Sequence, residues 1–167
     1  MCSSDLGTVN VAGVLSMIAA LREREQRLAS GALEGFASIR AGFAAGLKVA
    51  VPGVEVLGED APCLWNTVTA VMPAAADCRR RWVVKLDKLG FAVSTGSACA
   101  SGKELPSHVV TAMGYPAEAS DRMLRFSAGW ETSAEDWGAL KEGLVAAAAE
   151  LGTTGSAGFK PARLEDN

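Results

Sequence analysis

The chain has 167 residues, 49% of them hydrophobic, which suffices for one domain with a real core and is too apolar for a disordered segment. Its 16 basic and 19 acidic residues leave a net charge of −3, which argues against a nucleic-acid module. No apolar run reaches the ~20 residues of a membrane span, and the N-terminus lacks the basic-then-apolar order of a signal peptide.

Residues 1–6 connect poorly to the rest of the chain and read as a leader or a truncation edge. From Asn10 the pattern is helical, with Val11, Val14, Leu15 and Ile18 at 3–4 spacing and a charged face at Arg22-Glu23-Arg24-Glu25. A second helix comes after Gly31, its stripe being Leu33, Phe36, Ile39, Phe43 and Leu47, and Pro52-Gly53 marks a turn. Residues 54–57 read as a short strand. Residues 66–72 read as a longer one, with Val68, Ala70 and Met72 on one face and Thr67, Thr69 and Val71 on the other.

Residues 79–89 form a predicted helix with Trp82, Val83, Leu86 and Leu89 inward and Gly90 as its C-terminal cap. A strand is expected at 91–94, a short helix at 107–113 ending on Gly114, and a strand at 123–127. Ser133 and Asp136 have capping-box spacing ahead of a last helix carrying Trp137, Leu140, Leu144 and Leu151. Residues 152–167 read as a flexible tail. The sum is an α/β class fold, a short sheet covered by helices with a long N-terminal helix.

Cysteines occur at Cys2, Cys63, Cys78 and Cys99, none in CxxC spacing, and His108 is the single histidine. This argues against zinc and against a disulfide framework, and makes a reducing cytoplasm the default setting. Cys99 stands apart. It lies in Ser94-Thr95-Gly96-Ser97-Ala98-Cys99-Ala100-Ser101-Gly102, a run of small residues with nothing large enough to pin it to a core. A thiol on such a loop suits a nucleophile that travels to its target.

Four blocks carry a family resemblance: Gly7-Thr8-Val9-Asn10-Val11-Ala12-Gly13, the stretch from Gly90 through Cys99 to Gly102, Pro106-Ser107-His108-Val109-Val110-Thr111-Ala112-Met113-Gly114, and Leu124-Arg125-Phe126-Ser127. In this order they resemble the C-terminal part of a pyridoxal-phosphate cysteine desulfurase of the iron–sulfur assembly type. The resemblance implies the small C-terminal domain of a fold-type-I enzyme, here 7–151. It implies an enzyme that takes sulfur from L-cysteine, leaving L-alanine and a persulfide for iron–sulfur cluster assembly or tRNA thiolation. It also implies a cytoplasmic homodimer that passes sulfur to an acceptor or scaffold protein, with no membrane or nucleic-acid partner.

Within that resemblance Cys99 is the sulfur-accepting catalytic thiol and Arg125 binds the substrate α-carboxylate. Thr8 reaches the pyridoxal phosphate of the other subunit, although a helix N-cap would look the same in sequence. The family's Schiff-base lysine comes directly after a histidine, and none of the six lysines here does so. The chain therefore reads as a fragment, inactive alone, whose first helix would leave Val11, Val14, Leu15 and Ile18 as an exposed apolar patch. His108 reads as structural, Asn66 as a strand-edge contact, and the four tryptophans as packing residues. The alternatives are a selenocysteine lyase or another class V aminotransferase-like enzyme, and an inactive orphan domain or sulfur carrier.

Overall fold

The computed structural model describes residues 10–75, 78–95 and 107–153, with the backbone alone at 78–80. Thr8 and Cys99 lie outside the described residues, as do residues 1–6 and most of 152–167. The chain divides into two compact units between Phe36 and Ala37.

The first unit contains helix α1 (Val11–Ala29). Asn10 is its N-cap, the side-chain oxygen accepting from the Gly13 N–H at 3.0 Å. A Cβ on Gly13 would lie 2.6 Å from the Asn10 amide, so glycine there leaves room for the cap. No residue of α1 is buried, and Val11, Val14, Leu15 and Ile18 are exposed.

The second unit is built on a three-stranded antiparallel sheet. Helix α2 (Ala32–Ala50) leads into β1 (Glu55–Val56) and β2 (Thr67–Val71). Helix α3 (Cys78–Lys88), α4 (His108–Ala112) and α5 (Ala117–Ser120) intervene before β3 (Met123–Ser127), and α6 (Ala134–Leu151) comes last. The order is β1-β2-β3, with Thr67 opposite Ser127, Thr69 opposite Arg125 and Val71 opposite Met123.

Alternation sends Val68, Ala70, Leu124 and Phe126 to one face, where they join Phe43 and Leu47 of α2, Trp82 and Leu86 of α3, and Trp137 and Leu144 of α6. Phe43 packs between two rings, with centroids 4.5 Å from Trp137 and 5.7 Å from Phe126. The opposite face carries a smaller cluster in which Val71 and Met123 lie with Leu57, Val110, Tyr115 and Ala119. Tyr115 donates to the Glu55 carboxylate at 2.6 Å and so ties the α4–α5 layer to β1. Burial, then the bond and charge of Glu55, push the phenol well above its ordinary range.

Two expectations need correction. Leu89 is exposed rather than inward. Helix α3 ends in a Schellman arrangement, the Gly90 N–H bonding the Asp87 carbonyl and the Phe91 N–H the Leu86 carbonyl, and Gly90 has φ +87°. The reversal brings Phe91, not Leu89, against the main core. The expected strand at 91–94 is a single bridge, Ser94 to Arg125, because Phe91 and Val93 spend their side chains on the core and the segment meets β3 at one residue. The capping box of α6 is present in full.

Two glycines of α6 separate helix propensity from packing. Adding a Cβ to Gly143 would bring it 2.8 Å from the Phe91 ring, whereas Gly138 has nothing within 4 Å. We predict that Gly138→Ala stabilises by up to about 1 kcal/mol while Gly143→Ala destabilises by about 1–3 kcal/mol. Urea melts check the opposite signs; stabilisation by both would show that Phe91 does not pack on Gly143.

Tyr115→Phe should cost about 1.5–3 kcal/mol, toward the lower end because Glu55 is half-exposed. The native phenol is raised above its unfolded value of about 10, so its contribution is complete below that pH and is lost as pH rises through the folded value. Melts of both proteins across that range should therefore converge only on the alkaline side. Convergence below neutrality would assign the stability to another group.

Candidate functional site

Arg125 sits third in β3, between buried Leu124 and buried Phe126, and is itself half-buried. Alternation sends its side chain to the face opposite the main core. There α4 and α5 cover the Val71–Met123 end of the sheet and stop short of the next pair, Thr69 and Arg125. The step leaves a cleft of about 300 Å³. Leu57, Val109, Val110, Met113 and Met123 form its apolar walls, and Thr69, Ser107 and Arg125 supply its polar side chains.

Among the described residues, Arg125 is the one charged group in that lining. Two other arginines are tethered to backbone carbonyls: the Arg40 Nε of α2 donates to the Thr67 carbonyl at 2.8 Å, and the Arg122 Nη1, just before β3, to the Met72 carbonyl at 3.2 Å. The Arg125 guanidinium makes no side-chain hydrogen bond or ion pair among the described residues. A half-buried cation in an apolar cleft is a seat for an anion, and its planar fork matches a carboxylate.

The main chain of Arg125 is fully engaged. Its N–H donates to the Ser94 carbonyl at 2.8 Å and its carbonyl accepts from the Ser94 N–H at 3.2 Å. Ser94 therefore lies across from Arg125 on the free side of β3. Ser107, on the far side of residues 96–106, is buried, lines the cleft and caps α4 by accepting from the Val110 N–H. Thus Ser107, after the Cys99 segment, lines the cleft, and Ser94, before it, pairs through its main chain with the arginine of the cleft.

His108 is exposed in the first turn of α4 and is not part of the cleft lining. The Asn66 amide donates to the Ala128 carbonyl at 3.3 Å, a strand-edge contact. Trp130 stacks on Trp65 at 4.5 Å, also outside the cleft lining. Cys63 is exposed, with its Sγ 2.9 Å from the Gly58 carbonyl. Among the described residues no group of three His, Cys, Asp or Glu side chains could hold a metal, and no helix is long and apolar enough to cross a membrane. Thr69 and the apolar walls escaped the sequence reading; the alternation that put Thr67, Thr69 and Val71 on one face was the available signal.

No family model matches the chain. A cysteine desulfurase of Rhodobacter capsulatus is 36% identical over 130 residues, covering 78% of this chain and 33% of that protein. The cysteine desulfurase NifS of Azotobacter vinelandii is 32% identical over 130 residues, covering 78% of this chain and 32% of that protein. A solved NifS-like protein has a similar fold, with a TM-score of 0.71 over 87% of this chain and 35% of its own, at 21% identity. The NifS-like protein of Rickettsia africae gives 0.59 over 70% of this chain and 29% of its own, at 20% identity. The chain spans about a third of the length of the curated relatives it matches. It belongs to the cysteine desulfurase family, as a C-terminal part of such a protein.

Proposed function

We propose that this chain is the part of a cysteine desulfurase that grips the substrate and carries the sulfur away. The observation that carries the reading is the Arg125 guanidinium, without a side-chain partner among the described residues, in a cleft that Ser107 lines and whose arginine pairs through its main chain with Ser94, on either side of the Cys99 segment. The reaction is L-cysteine plus the Cys99 thiol giving L-alanine plus a Cys99 persulfide. Arg125 holds the α-carboxylate by a bidentate pair, which fixes the amino acid along the cleft. The apolar walls accept a small side chain and leave an acidic one unpaired. The Cys99 thiolate takes the substrate sulfur, so one C–S bond is exchanged for one S–S bond.

Pyridoxal phosphate supplies the electron sink for such chemistry, but the described residues do not fit it. Among them no lysine lines the cleft, and the cation there suits the substrate. The cofactor belongs to other polypeptide of the complete enzyme. The family relationship supports a cytoplasmic homodimer in which Thr8 meets the cofactor phosphate of the other subunit, and a sulfur acceptor of the iron–sulfur assembly type.

Two measurements test the reading. Mixed with pyridoxal phosphate and L-cysteine, the chain alone should form no alanine above a protein-free blank, because none of its lysines comes directly after a histidine. Given a low-molecular-weight persulfide, it should take the extra sulfur on Cys99, located by peptide mass spectrometry. Sulfur found on Cys2, Cys63 or Cys78 in preference to Cys99, or alanine formation by the chain alone, would overturn it.

A further inference from the structure

The cleft holds a second polar group that a clamp made of Arg125 alone leaves idle. Thr69 lies directly opposite Arg125 in the β2–β3 register and lines the same cleft. The pairing is of the close kind. The Thr69 carbonyl accepts from the Leu57 N–H at 2.8 Å and so points toward β1, while the Arg125 N–H and carbonyl both point toward Ser94. Neither residue's main chain reaches across the β2–β3 gap, so they form a non-hydrogen-bonded antiparallel pair. In such pairs the Cα atoms approach to about 4.5 Å and the side chains stand closer than in the alternating pairs.

The Thr69 hydroxyl, like the guanidinium, makes no hydrogen bond among the described residues. By contrast, Thr67 on the same face donates to the Asn66 side-chain oxygen at 3.2 Å. The next position along the face, Val71, has no polar side chain and lies under the α4–α5 layer. The strand thus offers one free hydroxyl at the one position beside the free cation.

We infer that Thr69 is a second carboxylate-binding residue, its hydroxyl donating to the carboxylate that Arg125 grips. The inference rests on the reading of Arg125 as the carboxylate clamp and deepens it. A carboxylate accepts at about four lone-pair positions. A bidentate guanidinium fills two of them and leaves room for a third donor from the side. The guanidinium is donor-only, so it favours a carboxylate over an amide, which would turn an N–H toward one of its donors. Thr69 adds a third donor to the carboxylate and acts as a binding residue.

The test uses the chain itself, with L-alanine as the unreactive probe and L-alaninamide as the counterpart that lacks the carboxylate. Arg125 and Thr69 resonances are monitored by NMR titration. The expected result is a saturable shift of both with L-alanine and none with L-alaninamide. Thr69→Val should weaken L-alanine binding about tenfold or more, the loss of one hydrogen bond to a charged group. Thr69→Ser should stay within about twofold of the native chain, since it keeps the hydroxyl.

If Thr69→Val disturbs the sheet, Thr69→Ala carries the same expectation, and a dispersed spectrum certifies the fold of either. A folded hydroxyl-free variant that binds L-alanine as the native chain does would overturn the inference and leave the Arg125 reading standing. Native-like binding by Arg125→Lys, or no saturable shift in the native chain, would instead remove the Arg125 reading and the inference with it.

Discussion

Strand β3 is paired on both sides at Arg125, with β2 along its length and with Ser94 at a single bridge. Because side chains alternate, this double pairing fixes which face each residue of β3 occupies. Leu124 and Phe126 enter the main core and Arg125 enters the cleft. A slip of one residue would drive a guanidinium in among Trp82, Phe43 and Trp137 and put Phe126 into water. Both halves of that exchange are unfavourable, the first by the cost of an unpaired buried charge and the second by lost apolar burial. The large aromatic residues of the far face therefore set the register on which the position of the cation depends.

The two faces of the sheet are loaded unequally, and the cleft is the consequence. The main face is closed by three helices of eleven residues or more. The other is covered by α4 and α5, of five and four residues. Such short helices span only a few ångströms of sheet at about 1.5 Å per residue. They cover the Val71–Met123 pair and leave the next pair open. Short helices have little intrinsic stability, so the layer leans on its contacts: the Ser107 cap, the Val110–Tyr115–Ala119 cluster and the Tyr115–Glu55 bond. These contacts hold the apolar wall of the cleft over the strand that bears the arginine.

Periodic features were legible in the sequence, and contacts between distant residues were not. Strand β3 and helix α6 were marked by their own alternation, stripe and caps, which are local. The capping box of Ser133 and Asp136 is a three-residue signal and needs no tertiary partner. Helix α5 was missed because four residues offer no periodicity and Pro116 at its N-cap makes no side-chain bond. The strand expected at 91–94 shrank to one bridge because apolar residues there read alike whether they pair in a sheet or pack on a core. At the site, Arg125 was singled out by its resemblance block. Thr69 was 56 positions away along the chain and became its neighbour only through register.

Among the described residues the half-buried Arg125 guanidinium has no side-chain hydrogen-bond partner and no counter-charge, so they offset little of the cost of its desolvation. The same side chain is tied to a backbone carbonyl at Arg40 of α2 and at Arg122 before β3. At Arg125 the main chain pairs with Ser94, and the side chain lines the cleft that Thr69 and Ser107 also line. The pairing that turns the cation toward the cleft also anchors, at Ser94, the chain leading toward Cys99, so one bridge fixes both the cation and the start of the thiol-bearing segment.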